Sequence, residues 1–203
     1  IQSRDSYCYH MTCRGSRFKD GLEIEKEIPL PDGTIWYKPK DSQEYLDLRA
    51  NKFREWWRKW GTNVLHDDLM MPLVAPKYDI GFVIKNCNEQ ILESLEPWCS
   101  TIYVDTFAQD YIDREQPNTL FDLDKRVYSI DVEKQNDIEV RFDGTKLSDT
   151  SIGIIQNLSA ILANDEELEE GSFELDIFEI HIKNLKTYEK NCIVVEKNLD
   201  LYV

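Results

Sequence analysis

The chain has 203 residues, 41% of them apolar, 11% aromatic and 31% charged, with a formal net charge of −15. That balance belongs to globular chains and excludes a disordered or fibrous class. No run of about 18 apolar residues is present to cross a bilayer, so no membrane role is expected. Charge is uneven: residues 1–60 carry 12 Lys/Arg against 10 Asp/Glu, a balance of +2, and residues 61–203 carry 12 against 29, a balance of −17. Such an acidic surface repels DNA and RNA and favours basic protein partners, which confines any nucleic-acid contact to the N-terminal third.

In chain order, GLEIEKEIPLPDGTIWYKP alternates apolar and polar residues around a PDG turn, which predicts a β-hairpin or β-arm over 22–38. Asp41 and Glu44 have capping-box spacing, and Leu46, Ala50, Phe53, Trp57 and Trp60 follow on one helical stripe that Gly61 stops. Burying a large aromatic removes about 150–250 Å² from water, so Trp57 and Trp60 are expected in the core. Trp56 lies at the stripe's edge, and Arg54, Arg58 and Lys59 flank it as a basic rim. Residues 61–78 hold two prolines and no clean period, and read as a loop with a short helical or extended piece.

The stretch YDIGFVIKNCNEQILESLEPWCSTIYVD reads as strand, helix, strand. Ile80–Lys85 is apolar, Asn88 can cap a helix carrying Ile91, Leu92 and Leu95, and Thr101–Val104 is closed by Asp105. This is the outline of a βαβ unit, parallel if both strands share a sheet. A short helix is expected at Gln109–Glu115. RVYSIDV and DIEVRFDG read as an antiparallel pair joined at EKQN. Ser148 to Ala163 has a helical apolar face with Ser148 or Asp149 as cap. After the acidic run NDEELEEG, SFELDIFEIHIKNL and NCIVVEKNLDLYV give two terminal strands. The expected class is therefore α+β (or α/β): a mixed sheet with about three helices. An N-terminal arm over 1–40 precedes a single globular domain over 41–203.

Motifs for phosphate-binding loops, dinucleotide folds, zincins, serine hydrolases and kinases are absent. Three histidines, at 10, 66 and 181, leave little material for triad chemistry. Cys8, His10 and Cys13 form a compact group of soft ligands without the second knuckle of a zinc site, so no metal is assigned. The five cysteines (Cys8, Cys13, Cys87, Cys99 and Cys192) are odd in number and scattered, which predicts a reducing compartment, the cytoplasm or the inside of a particle. The opening IQSRDSYCYH does not read as a secretory signal.

Among carboxylates, Asp67, Asp68, Asp79 and Asp105 stand out. Ligands collect at the carboxyl ends of parallel strands, so Asp105 could hold a ribose hydroxyl or a divalent cation. Asp79 opens the first strand, and would share an edge with Asp105 only if the two strands were antiparallel. WGT at 60–62 before YDIGFVI resembles the nucleotidyltransferase superfamily. That resemblance implies two metal-binding acids one residue apart, and here Asp79 is followed at the second slot by Gly81. VIKNCNEQILESLEPWCSTIYVD is similar in outline to the opening βαβ of nucleotide-sugar glycosyltransferases, and FDLD at 121–124 is the nearest match to their metal-binding Asp-x-Asp.

Two functions follow as expectations. The first is a non-enzymatic structural or interaction protein, a subunit of a larger assembly such as a viral or phage particle. It would associate as a homo- or hetero-oligomer through Arg54, Trp56, Arg58 and Lys59 against an acidic surface, with no cofactor. The alternative is a metal-dependent nucleotide or nucleotide-sugar transferase using Asp79 and Asp105 with a divalent cation.

Overall fold

The protein is described here from a computed structural model, which describes residues 28–29, 35–37, 43–66, 69–70, 72–73, 76–165 and 168–188. The chain divides into two compact units, residues 1–50 and 51–203. In the first, β1 (Ile28–Pro29) pairs antiparallel with β2 (Ile35–Tyr37), as the hairpin expectation requires. The intervening PDG lies outside the described residues. Helix α1 (Gln43–Trp60) begins in this unit and ends in the second. Asp41, from the expected capping box, lies outside the described residues.

The second unit holds a six-stranded mixed sheet, which places the protein in the α+β class. Its strands are β5 (Ile80–Lys85), β6 (Thr101–Val104), β7 (Val127–Ser129), β8 (Ile138–Asp143), β9 (Gly171–Leu175) and β10 (Phe178–Ile182). They lie in the order β7-β6-β5-β8-β10-β9. β7, β6, β5 and β8 are mutually parallel, while β10 is antiparallel to β8 and to the edge strand β9. β5 sits between two parallel neighbours, and all of its residues but Lys85 are buried; a central parallel strand needs such an apolar run. The crossover to β6 is α2 (Glu89–Leu95) extended by a 3-10 turn at Glu96–Trp98. The Asn88 side chain caps α2 by accepting from the Ile91 N–H at 2.9 Å. α3 (Gln109–Glu115) follows β6, and α4 (Asp149–Asn164), capped by Ser148, follows β8. Two short strands, β3 (Leu65–His66) and β4 (Pro72–Leu73), pair antiparallel ahead of the sheet.

Strand registers fix which face each residue serves. Phe82, Ile102, Val140 and Ile180 are aligned across the sheet and join one core cluster with Leu92 and Leu95 of α2, Ile112 of α3 and Ile155, Leu158 and Leu162 of α4. The opposite face carries Gly81, Thr101, Tyr103, Tyr128, Glu139 and Arg141. It is polar, and the segment 130–137 crosses it: the Gln135 N–H donates to Tyr103 Oη at 3.3 Å, and Lys134 Nζ lies 5.5 Å from the Tyr103 ring centre.

Two sequence expectations are corrected here. β7 and β8 are not an antiparallel pair, since β6 and β5 lie between them. Amphipathic alternation reports half-burial rather than pairing partner, so it could not exclude this. The long alternation SFELDIFEIHIKNL is also not one strand. It turns at Asp176, which takes φ 54°, and folds back as the β9–β10 hairpin. The final expected strand, NCIVVEKNLDLYV, lies outside the described residues.

Gly144, directly after β8, lets that loop approach the loop after β5. A Cβ built on it would stand 2.9 Å from the Asn86 carbonyl oxygen and 3.0 Å from Ile91 Cδ1. Gly144→Ala is expected to destabilise the fold by about 1–3 kcal/mol through overpacking against backbone. Thermal unfolding checks this, and a variant as stable as the parent would show that the two loops are not in contact.

Candidate functional site

The basic rim expected on α1 is mostly not a surface. Arg58 is fully buried: its Nε and Nη2 donate to the Glu96 carboxylate at 3.0 and 2.8 Å, and Nη2 also reaches Glu115 at 2.5 Å. Its Nη1 donates to Glu55 at 3.1 Å. Arg54 donates to Glu115 at 2.7 Å, to the Glu93 carbonyl at 2.6 Å and to Tyr111 Oη at 2.8 Å. Arg126, just before β7, closes the cluster by donating to Glu96 Oε1 at 2.6 Å and to the Cys99 carbonyl at 2.7 Å. Lys77 donates to the carbonyls of Arg58 and Lys59, where the end of α1 leaves acceptors exposed.

Of the four residues expected to bind a partner, Trp56 and Lys59 are exposed. Trp56 donates its Nε1–H to the Thr62 carbonyl at 2.9 Å, and Lys59 lies over the Trp60 ring. The expected apolar stripe is shifted as well. Leu46 and Phe53 are exposed, and Trp57 and Trp60 are half-buried rather than core residues. Trp57 stacks on Trp98 at 4.5 Å between ring centres. The helix docks on its Arg54–Trp57–Arg58 face because buried carboxylates await it there. Long-range ion pairing of this kind leaves no periodic trace in the sequence.

Burial would raise the Glu96 pKa, but the charges of Arg126 and Arg58 and their hydrogen bonds outweigh it and hold the carboxyl at about 2. Its folded value is thus below the ordinary 4.5. The stabilisation is complete above that ordinary value and is lost as pH falls through it towards 2. Removing one partner of a buried ion pair costs about 3–5 kcal/mol, so Arg58→Ala should lose that much at neutral pH. Denaturant unfolding at pH 7 and pH 3 should show the parent weakening towards acid and the Glu96→Gln variant weakening less.

A second constellation lies at the carboxyl edge of the parallel strands. Because β5, β6 and β8 run the same way, Lys85, Val104 and Asp143 finish at one edge. The chain order reverses at β5, with β6 and β7 built to one side and β8 to the other. An open α/β sheet collects ligands outside such a reversal. Asn86 turns left-handed there, with φ 54°, a conformation Asn tolerates. The exposed Asp105 carboxylate accepts from the Asn86 N–H at 2.6 Å and the Cys87 N–H at 3.0 Å. The Asn86 side-chain amide donates to Asp143 Oδ1 at 3.0 Å. Thr145 adds its N–H and hydroxyl to the same oxygen at 3.0 and 2.7 Å. These bonds, the Asn86 amide first, hold the Asp143 carboxyl below the usual range. All three fall on Oδ1. Cys87 lies beside this cluster, but burial and then the Asp105 charge push its thiol up to about 12, so it is no nucleophile at neutral pH.

Asp79 does not join this cluster. Parallel pairing of β5 and β6 puts it at the amino edge, where its Oδ1 accepts from the Asn136 side-chain amide at 2.6 Å. The Asp79–Asp105 pairing expected for a shared cation is therefore excluded by strand direction. The space where a second acid would stand is filled too: a Cβ on Gly81 would lie 2.3 Å from Asn136 Oδ1. FDLD leads into β7, also at the amino edge, and its Asp122 pairs with Lys125 at 3.4 Å. Among the described residues, no group of three or more His, Cys, Asp or Glu side chains is placed to hold a metal ion. The Cys8–His10–Cys13 group, Asp67 and Asp68 lie outside the described residues. His66 is exposed, and His181 shares a hydrogen bond of 2.8 Å with Ser172 Oγ.

Sequence reasoning passed over Asn86, Asp143 and Glu96. FDGT at 142–145 ends a strand in acid just as YVD does at 103–105. That signal was masked by reading its strand as half of a hairpin. Comparison with protein-family models, with curated proteins and with solved structures finds no match for this chain. No helix among the described residues is long and apolar enough to cross a membrane.

Proposed function

We infer that the carboxyl edge of the parallel strands binds a nucleotide or nucleotide-sugar and that the chain is a transferase acting on it. The observation that carries this reading is the placement of Asp105 and Asp143 on either side of Asn86, where the strand order reverses. Asp105 is exposed, and each of its oxygens retains a lone pair after accepting one backbone N–H, which suits a ribose hydroxyl. A magnesium-type cation is commonly held by one or two carboxylates together with substrate phosphates rather than by a full protein cage. Two carboxylates at one edge suit that need, and the three bonds to Asp143 all fall on Oδ1, which leaves Oδ2 outside them. Such a cation would supply charge neutralisation for a departing phosphate.

Calorimetric titration of the chain with uridine and guanosine diphosphates, each with and without Mn²⁺, tests this. Binding by at least one nucleotide is expected. Asp105→Asn should weaken it about tenfold or more with and without metal, the scale of a lost hydrogen bond to a charged group. Asp143→Asn should weaken mainly the metal-dependent part. No heat with either nucleotide in either condition would sink the reading.

The assembly reading is kept as a second proposal because Phe53 and Trp56 on α1 stand 39% and 36% exposed beside Lys59. Exposed aromatics of this kind suit a protein partner. Light scattering after size exclusion is expected to give a mass above 24.0 kDa that falls when Trp56 is replaced by Ser. A monomer at every concentration would remove self-association through this helix.

A further inference from the structure

A cavity of about 510 Å³ opens at the amino edge of the parallel strands, the opposite edge from Asp105 and Asp143. Its volume is within the range of small-molecule sites. One wall is aromatic: Tyr128 of β7 is half-buried and stacks at 5.7 Å against Tyr103 of β6, which is buried behind it. The other walls are polar, and their charges balance, with Asp79 and Glu133 set against Lys125 and Arg126. Arg126 is moreover already neutralised by Glu96. With Arg126 so neutralised, the lining leans acidic and the cavity does not recruit an anion.

Its hydrogen-bonding groups are of both kinds. Asn136 is fixed by three bonds, donating to Asp79 at 2.6 Å and accepting from Thr101 Oγ1 at 2.6 Å and Tyr103 Oη at 3.0 Å. This bracing makes the cavity's floor rigid, and Gly81 is the residue that leaves room for it. Glu133 adds an exposed acceptor to the lining, and the exposed side chains of Lys125 and Gln135 add donors.

We propose that this cavity binds a sugar unit, a neutral polyhydroxylated ring lying against Tyr128. A sugar has an apolar C–H face for the aromatic wall, and hydroxyls that both donate to Asp79 and Glu133 and accept from Lys125 and the Gln135 amide. A phosphate or a simple carboxylate would use only the donors and would meet two acidic side chains. The site is independent of the nucleotide site, because parallel strands put the two at opposite edges of the sheet.

Saturation-transfer difference NMR on the full 203-residue chain tests it, with glucose, galactose, mannose, N-acetylglucosamine and maltose as probes. At least one sugar is expected to receive saturation, strongest on its ring C–H protons. Tyr128→Ala should weaken its affinity about tenfold, a loss typical of an aromatic contact with one ring. The exposed Glu133→Ala variant, which leaves the core intact, should weaken it several-fold. Asp105→Asn should leave it unchanged. The proposal is overturned if none of the five sugars receives saturation or if binding survives both Tyr128→Ala and Glu133→Ala. Loss of binding in Asp105→Asn would overturn it as well, by placing the sugar at the carboxyl edge.

Discussion

A single buried carboxylate organises the second unit of this protein. Glu96 has no solvent exposure, and it is reached by Arg58 from α1, Arg126 from the approach to β7 and Tyr111 from α3. A charge removed from water is tolerable only with partners of this quality, so the three elements are constrained together. The 3-10 turn that carries Glu96 ends the α2 crossover, and the same residue therefore fixes where β6 begins relative to β5. The cost of desolvating the arginines is offset because Glu55 and Glu115 share the load.

That arrangement bears directly on the two edges of the sheet. With β5, β6, β7 and β8 parallel, the carboxyl ends of β5, β6 and β8 meet at Asn86, Asp105 and Asp143, and the amino ends of β5, β6 and β7 lie at Asp79, Thr101 and Arg126. One edge is acidic and open, tied by short bonds among loop residues. The other is a cavity with a braced amide floor and an aromatic wall. Arg126 serves both the buried cluster and the cavity: its Nε and Nη2 hold Glu96 and nearby carbonyls, and its Nη1 is left over. The cavity wall is thus held in place by the interaction that holds the helices.

The helix α1 shows how far composition can mislead about role. Three tryptophans and three basic side chains within REWWRKW suggest a recognition surface in an acidic chain. Two of those bases instead neutralise carboxylates that the chain itself supplies, from residues 38 to 61 positions further on. Pairing across such separations is decided by tertiary approach and not by local pattern. What is left at the surface is narrow, Trp56 and Lys59 with Phe53 nearby.

The sequence by itself determined the elements whose signals are local. These are the apolar run of β5, the Asn88 cap and short helix after it, the strand ending in Asp105, and the Ser148-capped helix with its apolar face. Burial and capping act over a few residues, so their marks are written there. Strand direction, partner choice and the fate of charged side chains were decided only by the tertiary structure. Each depends on contacts between residues far apart in the chain, and alternation along a strand does not say which neighbour it will meet. That is why the sequence does not single out Asp143 as Asp105's companion. For the same reason, Asp79 and Asp105, both chosen as acids at strand ends, proved to stand at opposite ends of the sheet.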